Sequence, residues 1–238
     1  MTDGLRINKF LADQGVASRR EVDALISAGK VTVNGKPAVI GQKVSSTDKV
    51  EVKGATKSLE YLAYYKGRGI ITHSPGENET DIKMKLDEDY RGRSELMGVN
   101  PVGRLDKDSE GLIILTNDGR VTGPLLDPVL AHEKEYEVVV DKPINSQFLK
   151  QMARGVDIEG YTTKPAKIEQ AGGKRFMLTI TEGKKHQIRR MCAALGYQIQ
   201  SLKRVRVMNI ELGKLKPNQY RKFTPTELIT FKKLLGIN

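Results

Sequence analysis

The sequence has a single cysteine, Cys192, no tryptophan, and only three histidines, at positions 73, 132 and 186. One cysteine excludes an internal disulfide and fits a reducing cytosol. No histidine stands at ligand spacing from Cys192, which argues against a zinc centre. Its neighbours Ile188, Met191 and Leu195 lie on an apolar helical stripe, so a buried structural thiol is expected rather than a nucleophile. Aromatics make up only 5% of the chain, which leaves the core to Ile, Leu and Val. No long apolar run is present, and no basic amphipathic helix stands alone. The start, Met1-Thr2-Asp3-Gly4, lacks the charged leader and apolar core of a signal peptide. These absences point to the cytoplasm and away from a membrane.

What is abundant is positive charge. The 238 residues carry a net +11 with a pI near 9.6, which suits a polyanionic partner, most simply nucleic acid. From Lys174 to Lys233, 15 Lys and Arg stand against Glu182, Glu211 and Glu227, a local balance of +12 that leaves about −1 elsewhere. Much of the phosphate contact is therefore expected in the C-terminal third.

In chain order, Ile7, Phe10 and Leu11 predict a short helix with Gly15 as its stop. Ser18-Arg19-Arg20-Glu21 fits a capping box for a second helix ending at Gly29. Val31 and Val33 alternate into Asn34-Gly35, a hairpin turn signal. The small polar run around 54–58 reads as a linker, giving domains at 1–54 and 61–238 with residues 55–60 between them. Beyond it, strands are expected at 61–65, 111–116, 135–140 and 176–180. Residues 76–98, polar and charged, read as a mobile surface excursion. Ile144, Phe148, Leu149 and Met152 mark a helix, and Ile188, Met191, Cys192 and Leu195 mark another that ends at Gly196. Val205 and Val207 alternate with Arg204 and Arg206, as on a half-buried strand with a basic face. Thr224-Pro225-Thr226-Glu227 caps a last helix. Without a regular βαβ rhythm, the expected class is α+β with a mixed, largely antiparallel sheet.

Chemistry concentrates at Gly103-Arg104-Leu105-Asp106-Lys107-Asp108-Ser109-Glu110-Gly111-Leu112, a carboxylate-rich turn between two apolar runs. Arg104 and Lys107 beside Asp106 favour its ionised form, and an ionised carboxylate in a cleft is a candidate nucleophile. The alternative is a salt-bridged surface turn. A second alternative puts Asp106, Asp108 and Glu110, spaced by two, on one strand face as a Mg²⁺ site for phosphoryl transfer. The interleaved cations and flanking glycines favour a turn.

Gly103-Arg104-Leu105-Asp106 with Ser109-Glu110-Gly111-Leu112 closely resembles the signature of pseudouridine synthases of the RsuA/RluF group. His132-Glu133-Lys134-Glu135-Tyr136 and Lys184-Lys185-His186-Gln187-Ile188-Arg189-Arg190-Met191 match further motifs in the family's order. The N-terminal stretch resembles the S4-type RNA-binding module of that group. One segment departs: Tyr65-Lys66-Gly67-Arg68-Gly69 stands where the family has an Asn-Lys-Pro-x-Gly pattern.

The resemblance implies isomerisation of uridine to pseudouridine in ribosomal RNA with no cofactor and no metal. Asp106 would be the essential carboxylate, Tyr136 the stacking partner of the flipped base, and Arg189 the cation paired with Asp106. Lys9, Arg19, Arg20 and Lys30 would contact RNA from the S4-like domain, and Arg104, Lys185, Arg190, Arg204 and Arg206 from the catalytic domain. The motif details, including Arg206-Val207-Met208-Asn209-Ile210, resemble the RluF-like, large-subunit branch. The implied partner is large-subunit rRNA or its assembly intermediate, met by a monomer. The rival on the same fold is a non-catalytic RNA-binding or ribosome-assembly factor.

Overall fold

Ser18 opens a helix as its spacing from Glu21 predicts. Its hydroxyl accepts from the Glu21 amide at 3.4 Å, and the Glu21 carboxylate accepts from the Ser18 amide at 3.0 Å. The computed structural model describes residues 4–14, 16–45, 47–54 and 58–237. The N-terminal part runs β1 (Leu5–Arg6), α1 (Ile7–Asp13), α2 (Arg19–Ser27), β2 (Val31–Val33), β3 (Lys36–Pro37), β4 (Lys43–Val44) and β5 (Val50–Val52). Asn34 and Gly35, at φ 51° and 78°, make the left-handed turn that joins β2 to β3. Ile7, Leu11, Val22, Ile26, Val31 and Val44 bury together in a cluster that draws on this part of the chain alone. The expected helix stop at Gly15 and residues 55–57 of the expected linker lie outside the described residues.

From residue 61 the chain runs β6 (Tyr61–Lys66), α3 (Ile82–Asp89), β7 (Asn100–Val102), β8 (Glu110–Thr116), α4 (Thr122–Leu126), β9 (Lys134–Val140), α5 (Ser146–Arg154), β10 (Lys167–Gln170), β11 (Arg175–Ile180), α6 (Gln187–Ala194), β12 (Ile199–Val207), β13 (Ile210–Glu211), β14 (Tyr220–Lys222) and α7 (Pro225–Leu235). Among the described residues these strands form one sheet, in the order β10-β11-β9-β12-β8-β6-β14, with β13 added to β12 and β7 to β8. The pairings are antiparallel except β12 with β8, so the sheet is mixed and the class α+β.

That parallel pairing is short: Lys203 faces Glu110 and Arg204 faces Gly111. A Cβ on Gly111 would fall 2.2 Å from the Arg204 carbonyl oxygen, and its φ of 110° is itself unfavourable for other residues, so only glycine permits the approach. Each half of the sheet has its own core. Val138, Phe148, Phe176, Leu178 and Met191 pack on the β9–β11 side. On the β6–β8 side, Ala63, Leu112, Ile114 and Phe231 fill one face, and Leu62, Tyr64, Ile113 and Leu115 the other. Cys192 is buried in the first core, and burial pushes its thiol up to about 12, as suits an inert structural cysteine.

Two expectations are corrected. Residues 76–98 are not a free excursion. Asp81 caps α3 by accepting from the Met84 amide at 2.8 Å, and Ile82 and Leu86, one turn apart, cover Ile113 and Leu115. Two apolar residues suffice to dock a helix whose other positions, apart from exposed Met84, are charged. The basic face of β12 is likewise absent, because the register against β9 shifts between Arg204, opposite Tyr136, and Arg206, opposite Glu135. Arg204 shares the buried side with Leu202, two residues before it, and the bulge that follows separates it from Arg206.

Candidate active site

The turn from Gly103 to Ser109 lies between β7 and β8, and its shape is imposed by neighbours. Buried Thr72 donates its hydroxyl to the Leu105 carbonyl at 2.9 Å and accepts the Leu105 amide at 3.1 Å. The Gly69 amide donates to the Lys107 carbonyl at 2.8 Å, and the Ser109 amide closes the turn on the Asp106 carbonyl at 3.1 Å. Lys66, fully buried at the end of β6, donates its ammonium to the carbonyls of Gly67 at 3.0 Å, Ile70 at 2.6 Å and Lys107 at 3.4 Å. Burial lowers the Lys66 pKa to about 8, against the pull of the nearby Asp106, Asp108 and Glu110 carboxylates. Asp106 itself is half-buried, and its Oδ1 lies 3.6 Å from His186 Nε2. Glu110 turns away, accepting from the Tyr65 hydroxyl at 3.0 Å, so the three carboxylates of the turn do not converge on one point.

The opposite wall comes from β9 and from the approach to α6. Lys134 and Tyr136, two residues apart on β9, both line the cleft. Burial lowers the Lys134 pKa, and the neighbouring Arg204 charge adds to this. Buried Glu182 gathers the loop before α6, accepting from Gln187 Nε2 at 2.7 Å, the Tyr161 hydroxyl at 2.5 Å and the Lys164 amide at 2.9 Å. His186 then takes a left-handed φ of 52° at the start of α6. One turn on, Arg189 donates Nη2 to the Asp108 carbonyl at 3.1 Å and to Ser109 Oγ at 3.2 Å. It grips the turn by its far side, and the group that approaches the Asp106 carboxylate is the His186 imidazole.

The resulting cleft has a volume of about 1110 Å³ and is lined by Arg104, Asp106, Tyr136, Lys185, Arg189 and Arg204 among others. Residues expected to act together from separate elements are thus brought into one cavity. Arg104 and Lys185 are exposed at its edge. Arg204 is 5% exposed and donates Nε to the Leu112 carbonyl at 2.7 Å, so it supports the cleft floor and does not reach out to phosphate. Arg206 pairs with Glu135 at 2.8 Å and Glu133 at 3.1 Å, and Arg190 donates to the Ile158 carbonyl and to Glu159, both at 2.8 Å. Neither lines the cleft. Lys9, Arg19, Arg20 and Lys30 are exposed on the N-terminal part. Thr72, Lys66 and Glu182 were not singled out as site residues. For Lys66 a signal existed, a lysine closing a strand of otherwise apolar and aromatic residues. Thr72 and Glu182 give no comparable sign.

Comparison with known proteins adds two family matches: RNA pseudouridylate synthase over residues 60–194 and S4 domain over residues 5–50. The dual-specificity RNA pseudouridine synthase RluF of Escherichia coli (strain K12) is 40% identical over 238 residues, spanning 97% of this chain and 79% of the relative. Ribosomal large subunit pseudouridine synthase B of Bacillus subtilis (strain 168) is 34% identical, over 94% of this chain and 93% of the relative. A crystal structure of a pseudouridylate synthase superposes with a TM-score of 0.69 at 28% identity, over 95% of this chain and 99% of that one.

Proposed function

Because the chain belongs to the RNA pseudouridylate synthase family and carries an S4 domain, we propose that it isomerises uridine to pseudouridine in ribosomal RNA, with Asp106 as the essential carboxylate. In this isomerisation the bond from C1′ to N1 breaks, the uracil turns, C5 bonds to C1′, and C5 loses a proton while the freed N1 takes one up. A uridine within a stack must first be extruded, and Tyr136 supplies an aromatic face in the cleft to receive the base. Asp106 presents its carboxylate to the sugar carbon as the glycosidic bond opens. Arg189 holds the turn through Asp108 and Ser109, keeping Asp106 aimed inward. Arg104 and Lys185 meet phosphates at the rim.

The observation that carries this reading is the meeting of Asp106, Tyr136 and Arg189, from three separate elements, in one cleft. Large-subunit rRNA is the substrate favoured by the relative named for that subunit. The protein acts as a monomer in the cytoplasm. Residues 1–54 form the RNA-docking domain, 55–60 the linker and 61–238 the catalytic domain, a division supported by the separate N-terminal core.

Asp106→Asn keeps the size of the side chain and removes its ionisable oxygen. Single-turnover pseudouridine formation should fall by about 10³-fold or more, with RNA affinity within about twofold. An Asn variant with full turnover on rRNA would remove Asp106 from the chemistry.

A further inference from the structure

The connection from α4 to β9 carries apolar side chains into solvent at the lip of the cleft. Leu126, Val129 and Leu130 are 46%, 83% and 49% exposed. Leu126 and Pro128 line the cleft itself. Leu126 also lies over the start of the catalytic turn, where a Cβ on Gly103 would fall 3.1 Å from its Cδ2. The segment is held at both ends. The Asp127 amide donates to the Pro124 carbonyl at 3.3 Å, and the Asp127 carboxylate accepts from the Val129 amide at 2.8 Å. At the other end, the Glu133 carbonyl accepts the Met208 amide at 2.9 Å, and the Glu133 carboxylate binds Lys167 and Arg206.

Elsewhere the lip is cationic: Arg104, Lys107, Lys164, Lys184 and Lys185 are all exposed there. A surface that meets a polyanion gains nothing from bare aliphatic groups facing phosphate. The apolar surface that a nucleic acid offers is the face of a base, and it is uncovered when a neighbour leaves the stack. Extrusion of a uridine opens such a gap, and aliphatic wedges fill gaps of this kind in deformed duplexes.

We infer that Leu126, Val129 and Leu130 form a wedge that enters the RNA stack beside the target uridine and covers the base faces it leaves. This rests on the reading of the cleft as the uridine site. It identifies the substrate class more narrowly, as uridines held in a stacked or paired segment.

The test uses the full-length protein and two RNA probes sharing one target: an rRNA stem containing the modified uridine, and the same strand with its complement omitted. The variant is Val129→Ser combined with Leu130→Ser, both at exposed positions that the core does not use. Single-turnover pseudouridine formation should slow about 10-fold on the stem and change less than about twofold on the single strand. A 2-aminopurine beside the target should brighten on binding wild-type protein and much less on binding the variant. Val129→Phe should retain the stem rate. Unchanged rates on both probes, or equal loss on both, overturn the wedge. Wild-type protein inactive on both probes would instead overturn the uridine-site reading beneath it.

Discussion

Lys9, Arg19, Arg20 and Lys30 stand exposed on the N-terminal part with no ionic partner among the described residues. Arg190, Arg204 and Arg206 of the larger part direct their donors into carbonyls and carboxylates of the protein. For Arg204 and Arg206 the difference follows from the strand that carries them, whereas Arg190, on α6, meets its partners in the loop at Ile158 and Glu159. A helix such as α2 covers one face with core and leaves the other to water, so its cations remain available to phosphate. A central strand such as β12 has layers on both sides, and a cation there must find a partner or destabilise the fold. Part of the +12 of the C-terminal third is therefore matched within the protein, while Lys174, Lys184, Lys185, Lys214 and Lys216 stay exposed. Lys203 pairs with Glu137, Arg206 with Glu133 and Glu135, Arg221 with Glu227, and Lys222 with Glu60. Charge density along a sequence and charge offered to a ligand are different quantities.

The sharpest way to break this contrast is Arg204→Met. Leaving the Leu112 carbonyl without its donor should cost about 2–4 kcal/mol of stability, read by urea unfolding. A variant as stable as wild type but weaker in RNA binding would make Arg204 a phosphate ligand. Replacing Lys9, Arg19, Arg20 and Lys30 together by Ala should do the reverse. RNA affinity should fall about 10–100-fold at fixed salt, and the slope of log K against log salt should become shallower by about 3. The melting temperature should hold. A collapse of stability instead would show those cations to be structural.

Arg190→Ala should cost about 1 kcal/mol, since its Glu159 partner is exposed and the carbonyl bond is single. Its effect on affinity should stay within about twofold, checked by filter binding beside a melt. A further test extends the contrast to a buried lysine. Lys66 has a folded pKa of about 8 against 10.5 for the free side chain. Between those values the unfolded chain holds the extra proton, so this group makes stability rise with pH across that window. In Lys66→Met that rise should shrink, as followed by unfolding at stepped pH between 8 and 10.5. An identical slope in both proteins would mean that the Lys66 proton is not coupled to folding.

Local signals in the sequence survive in the fold. The capping boxes at Ser18 and Thr224, the Asn34-Gly35 turn and the alternation of Phe176, Leu178 and Ile180 each depend on neighbours within a few residues. The motif residues Asp106, Tyr136 and Arg189 could be named because they lie in ordered motifs. What aims them could not. Thr72 reaches Leu105 from 33 residues away and Lys66 reaches Lys107 from 41, so their bonds exist only once β6 and β8 are paired. The parting of Arg206 from Arg204 is hidden for a similar reason. Alternation alone cannot reveal a bulge that is set by the partner strand.

Gly111 has a consequence beyond its own position. The β8–β12 contact is the joint between the two halves of the sheet, and it is only two residue pairs long. Asp106 hangs from one half, while Tyr136 and Arg189 belong to the other. The reach from carboxylate to aromatic ring therefore depends on this short joint between two plates, together with Val207, Ile210 and Leu212 in the core of the β6–β8 half and the Arg189 bonds to the turn. Any side chain forced in at Gly111 would act like a shim, opening the angle between the plates and moving the two walls of the cleft apart together. The dimensions of the cleft thus depend in part on a residue that has no side chain.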